Sequence, residues 1–246
     1  MLTYKSITHT GERAYNEDSA ICLEEDGKFC FVVADGLGGH GKGEVASQKV
    51  TEVFEQEFRV NQNTSPKSNL HFLDHTFTKA QQEVVALQEA QGDTKSMKTT
   101  AVALSIMDGS CSWAHIGDSR LYIFAKNKVK LRTLDHSVPQ MLVFSGEIKE
   151  KHIRTHPYRN RLMRVIGMHW DSPRYELGEV ELPLEECQAF LLCTDGFWEN
   201  ITEKKMCKFL KKSSTVEEWL DLMLKEVEKN GLGNHMDNYT AIAVQN

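Results

Sequence analysis

This chain has no apolar stretch near the roughly 20 residues that a membrane-spanning helix needs. Its opening run, MLTYKSITHTGER, turns polar at the third residue and so lacks the apolar core of a signal peptide. Cysteine occurs six times, at Cys22, Cys30, Cys111, Cys187, Cys193 and Cys207, never as C-x-x-C and never in the dense spacing of a small disulfide framework. The thiols therefore read as reduced residues of a cytoplasmic protein, mostly in or beside core strands. A basic excess is missing too: the formal net charge is −6 and the pI near 5.9, which argues against a nucleic-acid footprint. Internal repeats, low-complexity tracts and long linkers are absent, so residues 1–246 read as one domain.

What is present is an ordinary globular balance, 40% hydrophobic and 26% charged over 246 residues, enough for one large core. Residues 3–9, 19–23 and 28–35 have strand character, the last (KFCFVVAD) as a fully buried run. From Glu44 to about Arg59, Val45, Val50, Val53, Phe54 and Phe58 recur at helical spacing. The polar NQNTSPKSN (61–69) reads as a surface connection, and a second helix then carries Leu70, Leu73, Phe77, Ala80, Val84 and Leu87 on one stripe. Strand-like runs follow at 99–107, 110–117, 120–125, 128–133, 174–181, 188–194 and 239–245, with a helix over 216–227 that turns Trp219 into the core. Strands, two helices and then many strands, with no regular β-α alternation, predict antiparallel sheets covered by helices, an α+β class. Residues 137–170 mix a short amphipathic helix with a basic, His-rich stretch and read as a surface insertion over the strand rim.

The glycine run GLGGHGKG (36–43) imitates two nucleotide-binding patterns. As a phosphate-binding loop it fails, because Gly43 stands where Ser or Thr is needed. As a dinucleotide fingerprint it lacks the second strand about 20 residues on, and Asp35 places a negative charge where a pyrophosphate would sit. The glycines instead suit a backbone that passes close to other groups, with the Gly36 carbonyl available as an oxygen ligand.

The acidic residues carry more information. Asp35 ends FVVADG, Asp118 lies in SWAHIGDSR, Asp195 ends FLLCTDG, and Asp237-Asn238 precedes YTAIAV. Arg13 leads the run RAYNED, which contains Glu17 and Asp18. Strand ends are where a sheet protein does its polar work, so acids from several strands converge at one rim. Like charges there repel unless a cation lies between them, and an all-oxygen set suits hard divalent ions.

Eight runs occur in order along nearly the whole chain: RAYNED (13–18), VADGLGGHGKGEVAS (33–47), TTAVAL (99–104), HIGDSRLYIF (115–124), TLDHS (133–137), HPYRNRLMRVIG (156–167), CTDGFWEN (193–200) and DNYTAIAV (237–244). In these the chain resembles the metal-dependent protein Ser/Thr phosphatases, the PPM or type-2C family, in its compact bacterial form. The resemblance implies an α-β-β-α sandwich of two antiparallel sheets flanked by helices, with 137–170 as its flap. It implies two Mn²⁺ or Mg²⁺ ions bridged by Asp35, one completed by Glu17 and the Gly36 carbonyl, the other by Asp195 and Asp237. Asp118 with Asp195 matches a weaker third-ion position, and Asp18 and Asn238 match outer-shell groups. Arg13 is implied as the phosphate-gripping residue, and the nucleophile as a hydroxide between the two ions, with Asp35 and Arg13 essential to turnover. The implied substrates are phosphoserine and phosphothreonine in proteins, the implied partner a Ser/Thr kinase whose action is reversed, and the implied state a monomer with no nucleic acid or membrane involved.

Two positions depart from the family pattern. Leu37 replaces the histidine of animal members, which leaves a metal-bound water as the expected proton donor. Lys98 replaces a glycine and is expected to point to solvent. Among the ten histidines, His115, His136, His152, His156 and His169 read as satisfied structural or surface groups, while His40 in the glycine loop is the exception. Arg154, Arg159, Arg161 and Arg164 in the flap suit either acidic phosphopeptides or a solvated basic face. Two other readings stay open: a scaffold that binds phosphoproteins without turnover, and a nucleotide-binding protein.

Overall fold

Burial on both faces explains why the central strands read as unbroken apolar runs. The computed structural model describes residues 2–38, 42–62, 68–92, 96–178 and 181–246. In chain order the strands are β1 (Thr3–His9), β2 (Asp18–Glu25), β3 (Lys28–Leu37), β4 (Lys98–Thr99), β5 (Ala101–Met107), β6 (Ser110–Ile116), β7 (Arg120–Ala125), β8 (Lys128–Arg132), β9 (Glu176–Leu177), β10 (Leu182–Pro183), β11 (Ala189–Cys193) and β12 (Tyr239–Gln245). The helices are α1 (Lys42–Gln62), α2 (Asn69–Gln91), α3 (Val138–Phe144), α4 (Asp195–Trp198), α5 (Glu203–Lys212) and α6 (Val216–Gly231). One sheet has the order β1-β12-β11-β7-β8 and the other β10-β6-β5-β3-β2, with β4 added to β3 and β9 to β6. The pairings are antiparallel.

Strand residues alternate between two cores. Phe31, Val33, Val102, Leu104, Leu121, Ile123, Phe190, Leu192, Ile242 and Val244 interleave between the sheets. Their neighbours Val32, Ala34, Ala101 and Ala103 face α1 and α2 instead. Leu191, Cys193, Ala241 and Ala243 face a separate core with Trp219, Leu220 and Met223 of α6. Small residues on the helix-facing side let the helices sit close, and large ones fill the layer between sheets. The result is the expected α-β-β-α sandwich.

Three regions differ from the sequence reading. The strand expected at 174–181 shrinks to β9, with residues 179–180 outside the description and the short β10 lying just beyond it; Pro173 and Pro183 lack the N–H that a ladder requires. Helix α5 falls in a stretch to which the sequence reading assigned no element; Met206 and Leu210, one turn apart, seat it on the α6 core. The flap is anchored rather than merely laid over the rim. Ile166 is fully buried and exchanges both backbone hydrogen bonds with Thr99, and Ile153 enters the α6 core.

At the start of α1 the backbone touches β3 directly. A Cβ on Gly43 would lie 2.6 Å from the Gly36 carbonyl carbon and 2.7 Å from the Leu37 nitrogen. This contact holds α1 against the strand end that carries Asp35. Gly43→Ala should therefore lower stability by about 1–3 kcal/mol, read as the urea midpoint at fixed metal concentration. An unchanged midpoint would show that α1 has room to shift.

Candidate metal centre

The two sheets meet at one rim, and each contributes acids there. Asp18 opens β2 directly opposite Asp35 on β3. Asp195 follows β11 and Asp237 precedes β12, the neighbouring strand of the other sheet. Asp118 sits in the crossover from β6 to β7, which links the sheets. A cavity of about 220 Å³ is lined by Arg13, Glu17, Asp35, Gly36, Leu37, Asp118, Asp195, Asp237 and Asn238, together with Asn160 and Leu162 of the flap. A second cavity of about 300 Å³ shares Arg13, Asn160, Asp195 and Asp237 with it and extends to Arg154, Arg159 and Glu199. Every carboxylate singled out in the sequence as a metal ligand is in this cluster.

Side chains around the rim hold these positions. The Thr100 hydroxyl accepts from the Asp35 N–H at 3.0 Å and lies 2.7 Å from the Ser119 hydroxyl, so the residue beside Asp118 is tied to Asp35. The Thr99 hydroxyl donates to the Asp35 carbonyl at 2.8 Å. Thr194 donates from its hydroxyl to Asp18 Oδ2 at 2.9 Å and accepts from the Thr240 N–H at 3.0 Å, bridging the two sheets. Asn238 accepts from the Glu17 N–H at 2.8 Å and donates to the Thr10 and Tyr15 carbonyls. Its amide thus fastens the segment carrying Arg13 and Glu17. Arg13 itself is half-exposed and donates from Nη2 to Asp237 Oδ2 at 2.6 Å.

Electrostatics here is unfavourable for ionised acids. Burial, then the neighbouring acids Asp18, Asp195, Asp118 and Asp237, raise Asp35 well above the usual carboxylate range. Burial and then Asp118, Glu199 and Asp237 do the same to Asp195. Asp118 is pushed up to about 8, by burial and Asp135 against the pull of Arg120. Asp18 rises to about 7, mainly by burial, against hydrogen bonds from Thr240 and Thr194. Glu17 Oε1, Asp18 Oδ1 and Asp195 Oδ1 are shut off from solvent and have no partner among the described residues. A buried oxygen without a donor is costly, and a divalent cation supplies what each lacks. The donor set is all oxygen and fits Mn²⁺ or Mg²⁺.

One cationic group near the cluster is fully committed. Arg120 is buried, forms two 2.7 Å bonds to Asp135, and lies 3.3 Å over the Trp198 ring. Trp198 Nε1 in turn donates to the Asp118 carbonyl at 2.9 Å. This stack fixes Asp118 from below. Sequence reasoning had quoted Arg120, Asp135 and Trp198 within motifs without giving them work; the pairing needs β7 and the loop after β8 to be neighbours, which spacing alone does not reveal.

The remaining expectations divide. Arg154 pairs with Glu203 at 2.5 Å and Arg159 with Glu199 at 2.9 Å, so the flap's basic stretch is partly neutralised by acids following β11. Arg161 stacks over Tyr158 at 4.0 Å. Lys98 is half-buried at the β4 edge opposite Leu37, not fully solvated. His40 lies outside the described residues. His115 and His136 are buried and stacked at 4.7 Å, and His115 Nδ1 has no partner among the described residues. The expectation that both are satisfied holds for His136 and is corrected for His115, whose Nε2 lies 2.8 Å from the Leu134 carbonyl while Nδ1 has no partner among the described residues.

Comparison with known proteins gives the class first: this is an enzyme of the protein serine/threonine phosphatase class. The family model described as Protein phosphatase 2C matches residues 7–239, and the chain belongs to that family. It is 29% identical over 235 residues to the serine/threonine phosphatase stp of Listeria monocytogenes, covering 95% of this chain and 91% of that one. The crystal structure of the phosphatase Stp1 from Staphylococcus aureus superposes with a TM-score of 0.88 at 27% identity, over 100% of this chain and 95% of the other. The catalytic domain of the phosphatase PstP, solved with two manganese ions, gives 0.80 at 25% identity over 99% and 97%. No helix among the described residues is long and apolar enough to cross a membrane.

Two outcomes follow from this electrostatics. A carboxyl whose folded pKa is raised stabilises the fold below its unfolded value near 3.8, and that contribution is lost as pH climbs through the folded value, about 7 for Asp18 and 8 for Asp118. In EDTA the Tm should fall from about pH 4 to about pH 8, whereas a fixed Mn²⁺ concentration, set at about a hundred times its Kd at pH 6, adds about 2.7 kcal/mol there and widens the gap as pH rises. A gap independent of pH would mean these acids share no cation. Separately, Asp135→Asn removes the bidentate carboxylate of the buried Arg120, leaving only Glu203 at 3.9 Å as a counter-charge, and should cost about 3–5 kcal/mol in urea unfolding.

Proposed function

We propose that this chain hydrolyses phosphoserine and phosphothreonine esters of proteins, and so reverses a serine/threonine kinase in the cytoplasm. Its reaction would use a pair of Mn²⁺ or Mg²⁺ ions. The observation that carries the reading is the convergence of Glu17, Asp35, Asp118, Asp195 and Asp237 in one narrow cavity with Arg13 at its mouth. Asp35 with Glu17 and the Gly36 carbonyl would hold one ion, Asp35 with Asp195 and Asp237 the other, and Asp118 with Asp195 a weaker third. When bound, such ions supply a hydroxide at near-neutral pH and neutralise the phosphate charge.

The chain's own groups do the rest. Arg13 presents a planar fork that matches two phosphoryl oxygens, which a lysine imitates poorly. Its present partner, Asp237, is a half-exposed ion pair, and such pairs are worth about 0.2–1 kcal/mol, so Arg13 exchanges partners at little cost. Thr100 and Asn238 fix the backbones of Asp35 and Glu17, so the ligands are set before substrate arrives. Leu37 holds no proton and cannot protonate the leaving oxygen. The adjoining cavity at Arg159, Asn160 and Glu199 would receive residues flanking the phosphorylated one. We take residues 1–246 as one catalytic domain acting as a monomer, a reading supported by the inter-sheet core that β3, β5, β11 and β12 build together.

The test is phosphate release from a phosphothreonine peptide with Mn²⁺ and with EDTA. Release should require Mn²⁺ and fall by about 10²-fold or more in Asp35→Ala and Asp195→Ala. Arg13→Lys should raise KM and lower kcat together. Phosphopeptide binding without turnover in the wild-type chain would instead favour the scaffold reading.

A further inference from the structure

Outside the carboxylate cluster, the His115 imidazole is one of the buried groups left without a full set of partners among the described residues. Its ring is buried on β6, 2% exposed. Nε2 lies 2.8 Å from the Leu134 carbonyl. A carbonyl only accepts, so Nε2 bears the proton, and the neutral ring's Nδ1 is a bare lone pair. That nitrogen is closed off from solvent with no partner among the described residues. Leaving such a group unpaired costs about 1–3 kcal/mol.

Two further donors stand beside it. His136, from the loop after β8, stacks on His115 with ring centroids 4.7 Å apart. Its Nδ1 accepts from the Gly117 N–H at 3.2 Å, and its Nε2 lies 3.5 Å from Glu176 Oε2. Glu176 sits on β9 directly across from His115 in the ladder, and its side chain is 56% exposed. One ligand atom from each of the three lies within 4.8 Å of the others. The exposed Glu176 provides a route from solvent to two histidines that are otherwise enclosed.

We propose that His115, His136 and Glu176 form a second metal site, separate from the carboxylate cluster, that takes a borderline divalent ion such as Zn²⁺. Two imidazoles and one carboxylate are the donor set such ions prefer, whereas Mg²⁺ and Mn²⁺ favour the all-oxygen cluster. Tetrahedral bonds of about 2.0–2.2 Å bring ligand atoms to about 3.3 Å from one another. The site therefore closes by at most about 1.5 Å, which rotation of the exposed Glu176 and a tilt of the rings supply.

Occupancy has a structural consequence. Coordination through His136 Nε2 requires that ring to carry its proton on Nδ1. Nδ1 then meets the Gly117 N–H donor to donor, and their hydrogen bond opens. Gly117 immediately precedes Asp118, so the second site and the Asp118 position are linked. This link rests on the assignment of Asp118 to the third-ion position; the site itself does not.

The experiment uses Co²⁺ as the probe, added to the full chain in excess Mg²⁺ so that the oxygen cluster is already filled. The expected result is one Co²⁺ per chain with the intense visible absorption of a tetrahedral nitrogen-oxygen site, bleached by one equivalent of Zn²⁺. Glu176→Gln, an exposed change that spares the core, should weaken Co²⁺ binding by about tenfold or more. His136→Asn should abolish the band, while Asp35→Asn should leave it. A weak octahedral spectrum, an unchanged affinity in Glu176→Gln, or a band lost in Asp35→Asn would each overturn the proposal. Failure of phosphate release with the Co²⁺ band intact would count against the phosphatase reading alone.

Discussion

Carboxylates crowded into one narrow cavity repel each other, and the rest of the rim is arranged around that repulsion. Asp35 and Asp195 are each driven toward the protonated form by burial and by their acidic neighbours, Asp18, Asp118 and Asp237 among them. Arg120, the buried cation closest in the chain to Asp118, is bound bidentately by Asp135 and offsets the rise at Asp118 only in part. Arg13 reaches Asp237 from the solvent side. A bound cation would relieve this repulsion, and its binding would then become part of the folding free energy.

Much of this was legible in the sequence because the acids mark strand ends. FVVAD, FLLCTD and the residues before YTAIAV each announce a buried strand and the place where it stops. The absence of β-α alternation pointed to antiparallel sheets covered by helices, and the resemblance in the eight ordered motifs supplied the layer order. What escaped detection depended on which strands are neighbours. His115 and His136 meet only because β6 borders the loop after β8, and nothing in their separation says so. Helix α5 escaped for a different reason: Lys and Glu dominate its sequence, and only Met206 and Leu210 mark the face that packs. The three backbone partners of the Asn238 amide were likewise hidden, because Thr10, Tyr15 and Glu17 lie more than 220 residues away in the chain.

The flap illustrates how composition misleads about charge. Residues 137–170 look strongly basic, yet Glu199 and Glu203, which follow β11 in sequence, meet Arg159 and Arg154 in space. The arm is held at its far end by the Thr99–Ile166 backbone exchange, on the same strand pair that positions Asp35. Movement of the flap and the placement of Asp35 therefore share one anchor.

The carboxylates of the cluster are divided between two sheets that share no strand, Glu17 and Asp35 on one side, Asp195 and Asp237 on the other. Between them lies the apolar layer of Phe31, Val33, Leu104, Phe190, Leu192 and Ile242. That layer acts as a spacer of fixed thickness, like the shim between two jaws of a vice. Its side-chain volumes, far from any charged group, set how wide the jaws stand, and interior residues of a hydrocarbon kind become part of the tuning of a polar reaction.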